Sequence, residues 1–201
     1  MGIRSILFKV KDCMMKRNVI IFLIIMLCIV CSCSQKNDAQ DFGYKNDYGS
    51  ITIYGYYGKD KDVIIPKKID GDVVQIIGYR AFADKKLTSV KIPNSVTKIE
   101  GSAFKYNHLN RVRIPNSVKS IGSEAFFSNL LRKVRISNSV GVIGSEAFSV
   151  NQLTSIKIPR SVTEIGDYAF ANNQISSVSI PKSVKIVGRK AFGNCMRVKR
   201  K

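Results

Sequence analysis

The apolar positions of this chain recur in a fixed frame. From Ile92 onward the sequence reads IPNSVTKIEGSAFKYNHLNRVR, IPNSVKSIGSEAFFSNLLRKVR, ISNSVGVIGSEAFSVNQLTSIK, IPRSVTEIGDYAFANNQISSVS and IPKSVKIVGRKAFGNCMRV. Ile92, Ile114, Ile136, Ile158 and Ile180 open the copies, each 22 residues after the last. A looser copy from Ile65 to Lys91 carries five extra residues. A period of this size predicts a repeat solenoid, because one coil cannot bury its apolar edge alone and stacked coils share a continuous core.

Within a copy the pattern assigns the elements. Val112 and Ile114, with their counterparts, alternate with polar residues at period two, which predicts a short parallel β-strand per repeat with Val and Ile turned inward. Pro66, Pro93, Pro115, Pro159 and Pro181 follow and end it, since proline has no backbone donor for a continuing ladder. Gly122, Gly144, Gly166 and Gly188 stand before an Ala-Phe or similar pair and are expected to permit a tight backbone bend. The crossing back is expected to be irregular or a short helix. Phe82, Phe104, Phe126, Phe148, Phe170 and Phe192 recur in phase and predict an aromatic column inside the stack.

The motif LxxVxIPxSVxxIGxxAFxxN, repeated between Ile65 and Val198, resembles the BspA-like or treponema-type leucine-rich repeat of bacterial surface proteins. The resemblance implies a right-handed leucine-rich-repeat coil and an association with adhesion to host matrix proteins or other cells. The common family version has a cysteine three residues after the phenylalanine. Here that place holds Asn107, Asn129, Asn151 and Asn173, with Cys195 only in the last copy. These asparagines are expected to form a hydrogen-bonded ladder between coils.

The chain before the repeats divides by composition. Lys16 and Arg17 precede an apolar run from Val19 to Val30, then Val30-Cys31-Ser32-Cys33. The run is short for a membrane span, which needs about 20 residues. It resembles a lipoprotein signal peptide over residues 1–32, which implies cleavage before Cys33 and a lipid on Cys33; an uncleaved membrane anchor is the alternative. Residues 33–47 are polar and read as a flexible tether. Residues 48–64 read as an N-terminal cap, a β-hairpin of Ile51 to Tyr57 and Asp62 to Ile65 around Gly58-Lys59-Asp60-Lys61. Residues 65–201 are the solenoid, about six repeats with the last incomplete. Four of the five cysteines fall in the first 33 residues, so no disulfide framework is expected.

Charge adds a candidate site. Lysine and arginine number 33 against 14 acids, a net +19. Strand alternation turns Lys91, Arg111, Arg113, Lys133, Arg135 and Lys157 outward on one face, with no acid among them. Like charges on neighbouring strands are unfavourable, so the row points to an anionic partner. The plainer alternative is a soluble face protected from edge pairing. In the later copies the row gives way to Ser177 and Ser179.

No catalytic constellation is visible. There is no Cys/His metal spacing, phosphate loop or nucleophile elbow, and the one histidine, His108, is replaced by Leu130, Gln152 and Gln174 in later copies. Glu100, Glu124, Glu146, Glu164 and Asp167 near the turn are expected to be solvated. The sequence thus predicts no enzyme and no cofactor. The expected role is a binding or adhesion module on an exported lipoprotein of the bacterial envelope, at the outer membrane or cell surface. Its partners would be host or cell-surface proteins or acidic glycans, with membrane contact through the N-terminal lipid. The alternative is a structural envelope protein held to its own anionic lipids or polysaccharide. Nucleic acid is not expected, since aromatic residues are not interleaved with the outward cations.

Overall fold

The computed structural model describes residues 37–193 and 195–200. The leader and Cys33 lie outside the described residues. Among those described, no helix is long and apolar enough to cross a membrane.

The chain is a β-solenoid whose coils stack in parallel. The predicted strands form where alternation is sharpest, at Ser89–Lys91, Arg111–Arg113, Lys133–Arg135 and Ser177–Ile180. Val112 lies opposite Val134 and Arg113 opposite Arg135, which is the 22-residue repeat made physical. The column is interrupted, however. Arg111–Arg113 pairs with Lys133–Arg135 and Ser177–Ile180 with Arg197–Arg200, while the stretch 155–157 between them carries no regular strand. Ser89–Lys91 pairs with Asp62–Ile64.

A second strand column, at Lys98–Ile99, Ser120–Ile121, Val142–Ile143, Glu164–Ile165 and Ile186–Val187, continues from Asp72–Ile77 in one nine-stranded sheet. Each of these later strands is two residues long, too short for a period-two pattern to reveal. The crossing at Ala-Phe is a turn, with no helix among the described residues of the repeats. Two non-glycine residues per turn take a left-handed backbone: Glu124 (φ 57°) and Ser128 (φ 51°) flank Ala125-Phe126-Phe127, and Glu146 and Val150 do so one coil later. A β-branched residue such as Val150 in that conformation stores strain.

The cap differs from the sequence expectation. A hairpin does precede the coils, but its arms are Phe42–Asp47 and Ser50–Tyr56, paired antiparallel. Asp62–Ile64 is instead the first member of the solenoid's own strand column. The expected tether is therefore structured from Asn37: Asn37 is buried and its Oδ1 accepts from Ile64 N at 2.7 Å, and Phe42 is buried against Tyr56. Phe42-Gly-Tyr-Lys-Asn-Asp47 carries too few apolar residues to announce a strand. Pairing with the β-rich arm Ser50–Tyr56 supplies what its own pattern lacks.

The phenylalanines form the predicted column. Phe82, Phe104, Phe126, Phe148, Phe170 and Phe192 stack with centroids 5.0 to 5.4 Å apart and planes within 16° of parallel. Tyr56 of the cap extends it, stacked on Phe82 at 5.5 Å. Around it lie Val96, Ile99, Val118, Ile121, Val140, Ile143, Val162 and Ile165, all buried.

The repeat glycines act by closeness rather than by torsional freedom. Gly122, Gly144, Gly166 and Gly188 are not among the positive-φ glycines, and the left-handed positions fall on Glu124, Glu146, Tyr168 and Lys190. A Cβ on Gly144 would sit 2.5 Å from Ser123 N and 2.6 Å from Gly122 C in the preceding coil. Both are backbone atoms that cannot rotate away. Gly144→Ala is expected to destabilise by about 1–3 kcal/mol, the usual cost of overpacking. Gly141→Ala in the same repeat, whose Cβ would meet nothing nearer than Lys119 O at 3.8 Å, should be neutral or slightly stabilising. Urea unfolding of the two variants checks the contrast.

Candidate ligand-binding face

The exposed face of the Arg111–Arg113 column depends on the loop that leads into it, and the asparagines fix that loop. Asn129 Nδ2 donates to Phe104 O (2.9 Å) and Phe126 O (3.3 Å), and its Oδ1 accepts from Leu109 N (3.1 Å). Asn107, Asn151 and Asn173 repeat the arrangement. The ladder inferred from sequence exists, and each asparagine ties its own coil to the one before. In the third copy, where Ser137 stands in place of proline, its hydroxyl donates to Pro115 O at 2.8 Å and closes the other flank.

Lys91, Arg111, Arg113, Lys133, Arg135 and Lys157 are all exposed. Register places Arg111 opposite Lys133 and Arg113 opposite Arg135, about 4.8 Å apart along the stack. The ion pairs among the described residues lie elsewhere, as in Lys98–Glu100 and Lys105–Glu124, and none involves these six. Lys157 sits in the stretch without regular strand structure. The face does not begin with a cation: Asp62, in register with Ser89, accepts from the hydroxyls of Thr88 and Ser89 at 2.9 and 2.7 Å. His108 is exposed in the loop before Arg111.

Shallow grooves follow the face. One is lined by Arg111, Arg132 and Lys133, the next by Lys133, Arg135 and Lys157, and the largest by Lys157, Arg160 and Lys182. Arg132, Arg160 and Lys182 escape a reading confined to the strand residues. Arg160 and Lys182 occupy the place held by Asn94, Asn116 and Asn138 in earlier copies, and that column, read at period 22, was the available signal.

The acids near the turn are not simply solvated. Glu124 accepts from Lys105 Nζ at 2.7 Å and Ser102 Oγ at 2.8 Å and is half-buried. The Lys105 ammonium holds the Glu124 carboxyl below its usual range, and Ser102 adds to this; the same pair holds Lys105 above its usual range. A carboxyl with a depressed folded-state pKa contributes stability above the unfolded carboxylate pKa and loses it as pH falls through the folded value. The melting difference between native protein and Glu124→Gln should therefore be largest near neutrality and shrink towards pH 3. Glu100 accepts from Tyr79 N, and Asp167 from Arg189 N, so these acids also join coils.

A model of the BspA-type leucine-rich repeat region, in six copies, matches residues 75–199. The chain belongs to the BspA-type leucine-rich repeat family. Solved structures similar to it include a leucine-rich cell surface protein of Faecalibacterium prausnitzii, 26% identical with a TM-score of 0.59, covering 82% of this chain and 54% of that one. The pneumococcal vaccine antigen PcpA is 24% identical with a TM-score of 0.64, over 82% of this chain and 48% of its own. The T. pallidum leucine-rich repeat protein is 24% identical with a TM-score of 0.57, over 82% and 86%. This BspA-type chain thus spans about half the length of the first two. No curated protein matches it.

Proposed function

We propose that this BspA-type chain is a surface-displayed binding module, anchored by lipid on Cys33, whose cationic strand face takes an acidic protein or glycan. It works by binding rather than by chemistry. The observation that carries the reading is the set of six exposed cations on successive coils, Arg111 with Lys133 and Arg113 with Arg135 in strand register, none with an ion-pair partner among the described residues. Such a row is self-repelling and is relieved by an anionic partner. The cell-surface description of the F. prausnitzii relative agrees with display outside the cell.

The test is the salt needed to elute the purified protein from immobilised heparin. A variant with Lys91, Arg113, Arg135 and Lys157 changed to Ser should elute at clearly lower salt than one with Lys59, Lys119, Lys185 and Lys190 changed to Ser, which removes as much charge from other places. Equal elution of the two variants would sink the reading, because the charge would then act diffusely.

A further inference from the structure

The cations on this face extend beyond the straight column of Lys91, Arg113, Arg135 and Lys157. Read across the coils, Arg111 and Lys133 occupy one column, Lys91, Arg113, Arg135 and Lys157 the column two residues on, and Arg160 and Lys182 the column three residues beyond that. The first column turns to serine at Ser155 and Ser177, and the second at Ser179, while the third is asparagine until it becomes Arg160. From Ser89 to Lys182 the first column carries cations only at Arg111 and Lys133 and the third only at Arg160 and Lys182, so along the stack the positive surface shifts obliquely from Arg111 towards Lys182. The grooves take the same course: the first two share Lys133, and the second and third share Asn138, Lys157 and Pro159. None has an acidic residue in its lining. From the Arg111 coil to the Lys182 coil is three coil steps, about 14 Å along the axis and longer on the diagonal.

We infer that this oblique track is a site for a linear sulfated polysaccharide, which crosses the strands with its anionic groups on Arg111, Lys133, Arg135, Lys157, Arg160 and Lys182 in turn. The inference deepens the binding reading above and rests on it. Three features select this class of ligand. The track crosses successive coils at regular spacing, so it suits a chain with repeating charge better than a single folded epitope. Arg111–Arg113 and Lys133–Arg135 already pair with each other, so an extended peptide added as a strand would find no free ladder there. No Phe, Tyr or Trp lines the grooves, which removes the stacking platforms that single-stranded nucleic acid uses. What remains is charge with amide and hydroxyl donors between, Asn116, Asn138 and Ser179 among them. The largest groove, about 1080 Å³ around Lys157, Arg160 and Lys182, is an open trough, as a polymer that enters and leaves requires.

The deciding experiment measures binding of the purified protein to heparin oligosaccharides of graded length. Its variants are Arg160→Ser with Lys182→Ser, and Lys119→Ser with Lys185→Ser, which removes two exposed charges away from this face. Affinity should rise with chain length until the track is filled and then level off. The Arg160/Lys182 variant should lose at least tenfold on the longer oligosaccharides and little on the shortest, and the Lys119/Lys185 variant should bind nearly as the native protein does. If the Lys91/Arg113/Arg135/Lys157 variant loses affinity and the Arg160/Lys182 variant does not, the oblique track is wrong while the strand-face reading stands. If polyglutamate or single-stranded DNA of matched charge competes as well as heparin, the polysaccharide assignment falls. No binding by the native protein would overturn both readings. Circular dichroism melts of each variant separate lost binding from lost fold.

Discussion

Phe126→Ala is expected to lower unfolding stability by about 3–5 kcal/mol, the usual range for emptying a buried aromatic site. Phe126 is fully buried, with Phe104 stacked on one side at 5.1 Å and Phe148 on the other at 5.3 Å. Its removal opens a gap in the middle of a column whose neighbours are held in place by their own coils, so little collapse into the gap is possible. Phe192→Ala supplies the internal comparison. Among the described residues Phe192 has only Phe170 stacked on it and is 6% exposed, so its cost should be clearly smaller. Stability in a stack is approximately a sum of coil and interface terms, so a central loss breaks two interfaces and a terminal loss one. Urea melts followed by circular dichroism would show it. Equal losses at the two positions would mean that the column is not the carrier of coil-to-coil cohesion.

The second large effect is expected at Asn129. Replacing it by Ala leaves the buried N–H of Leu109 without its partner and takes one donor from each of the carbonyls of Phe104, Phe126 and Phe127, which keep Asn107, Asn151 and the Tyr106 N–H respectively. Leaving one buried N–H unpaired costs about 1–3 kcal/mol, and the weakened carbonyl contacts place the expected loss towards the upper end of that range. Asn129→Asp tests the direction of the bonds. Its carboxylate could still accept from Leu109 N but would face the three carbonyls with no donor, so it should be at least as damaging as Ala at neutral pH. A variant as stable as the native protein would show the ladder to be incidental.

Most of the scaffold was legible in the sequence because its determinants are local and repeated. The Phe column, the Asn ladder and the Arg-Val-Arg strands each occupy one phase of the 22-residue frame, and six copies make each phase visible. The second strand column was not, because two-residue strands such as Ser120–Ile121 leave no alternation to see. The cap was misjudged because Phe42–Asp47 becomes a strand through its partner Ser50–Tyr56, which its own composition does not announce. The role of Gly144 depends on how near the preceding coil lies, a distance that no pattern within one repeat contains. At the candidate site the strand cations were found by alternation. Arg160 and Lys182 lie past the proline, outside the strand, and only the fold brings them onto the same track.

The asparagine bonds have a consequence for how such a protein can change. Each one links a residue to partners in its own coil and the coil before, always in the same register, so excising or duplicating one 22-residue block leaves every remaining junction chemically complete. A block of any other length would break the junctions. Recombination between neighbouring coding repeats can therefore lengthen or shorten the stack without touching its chemistry, whereas point substitution rewrites what each coil presents. Reach and recognition are separately heritable in this molecule.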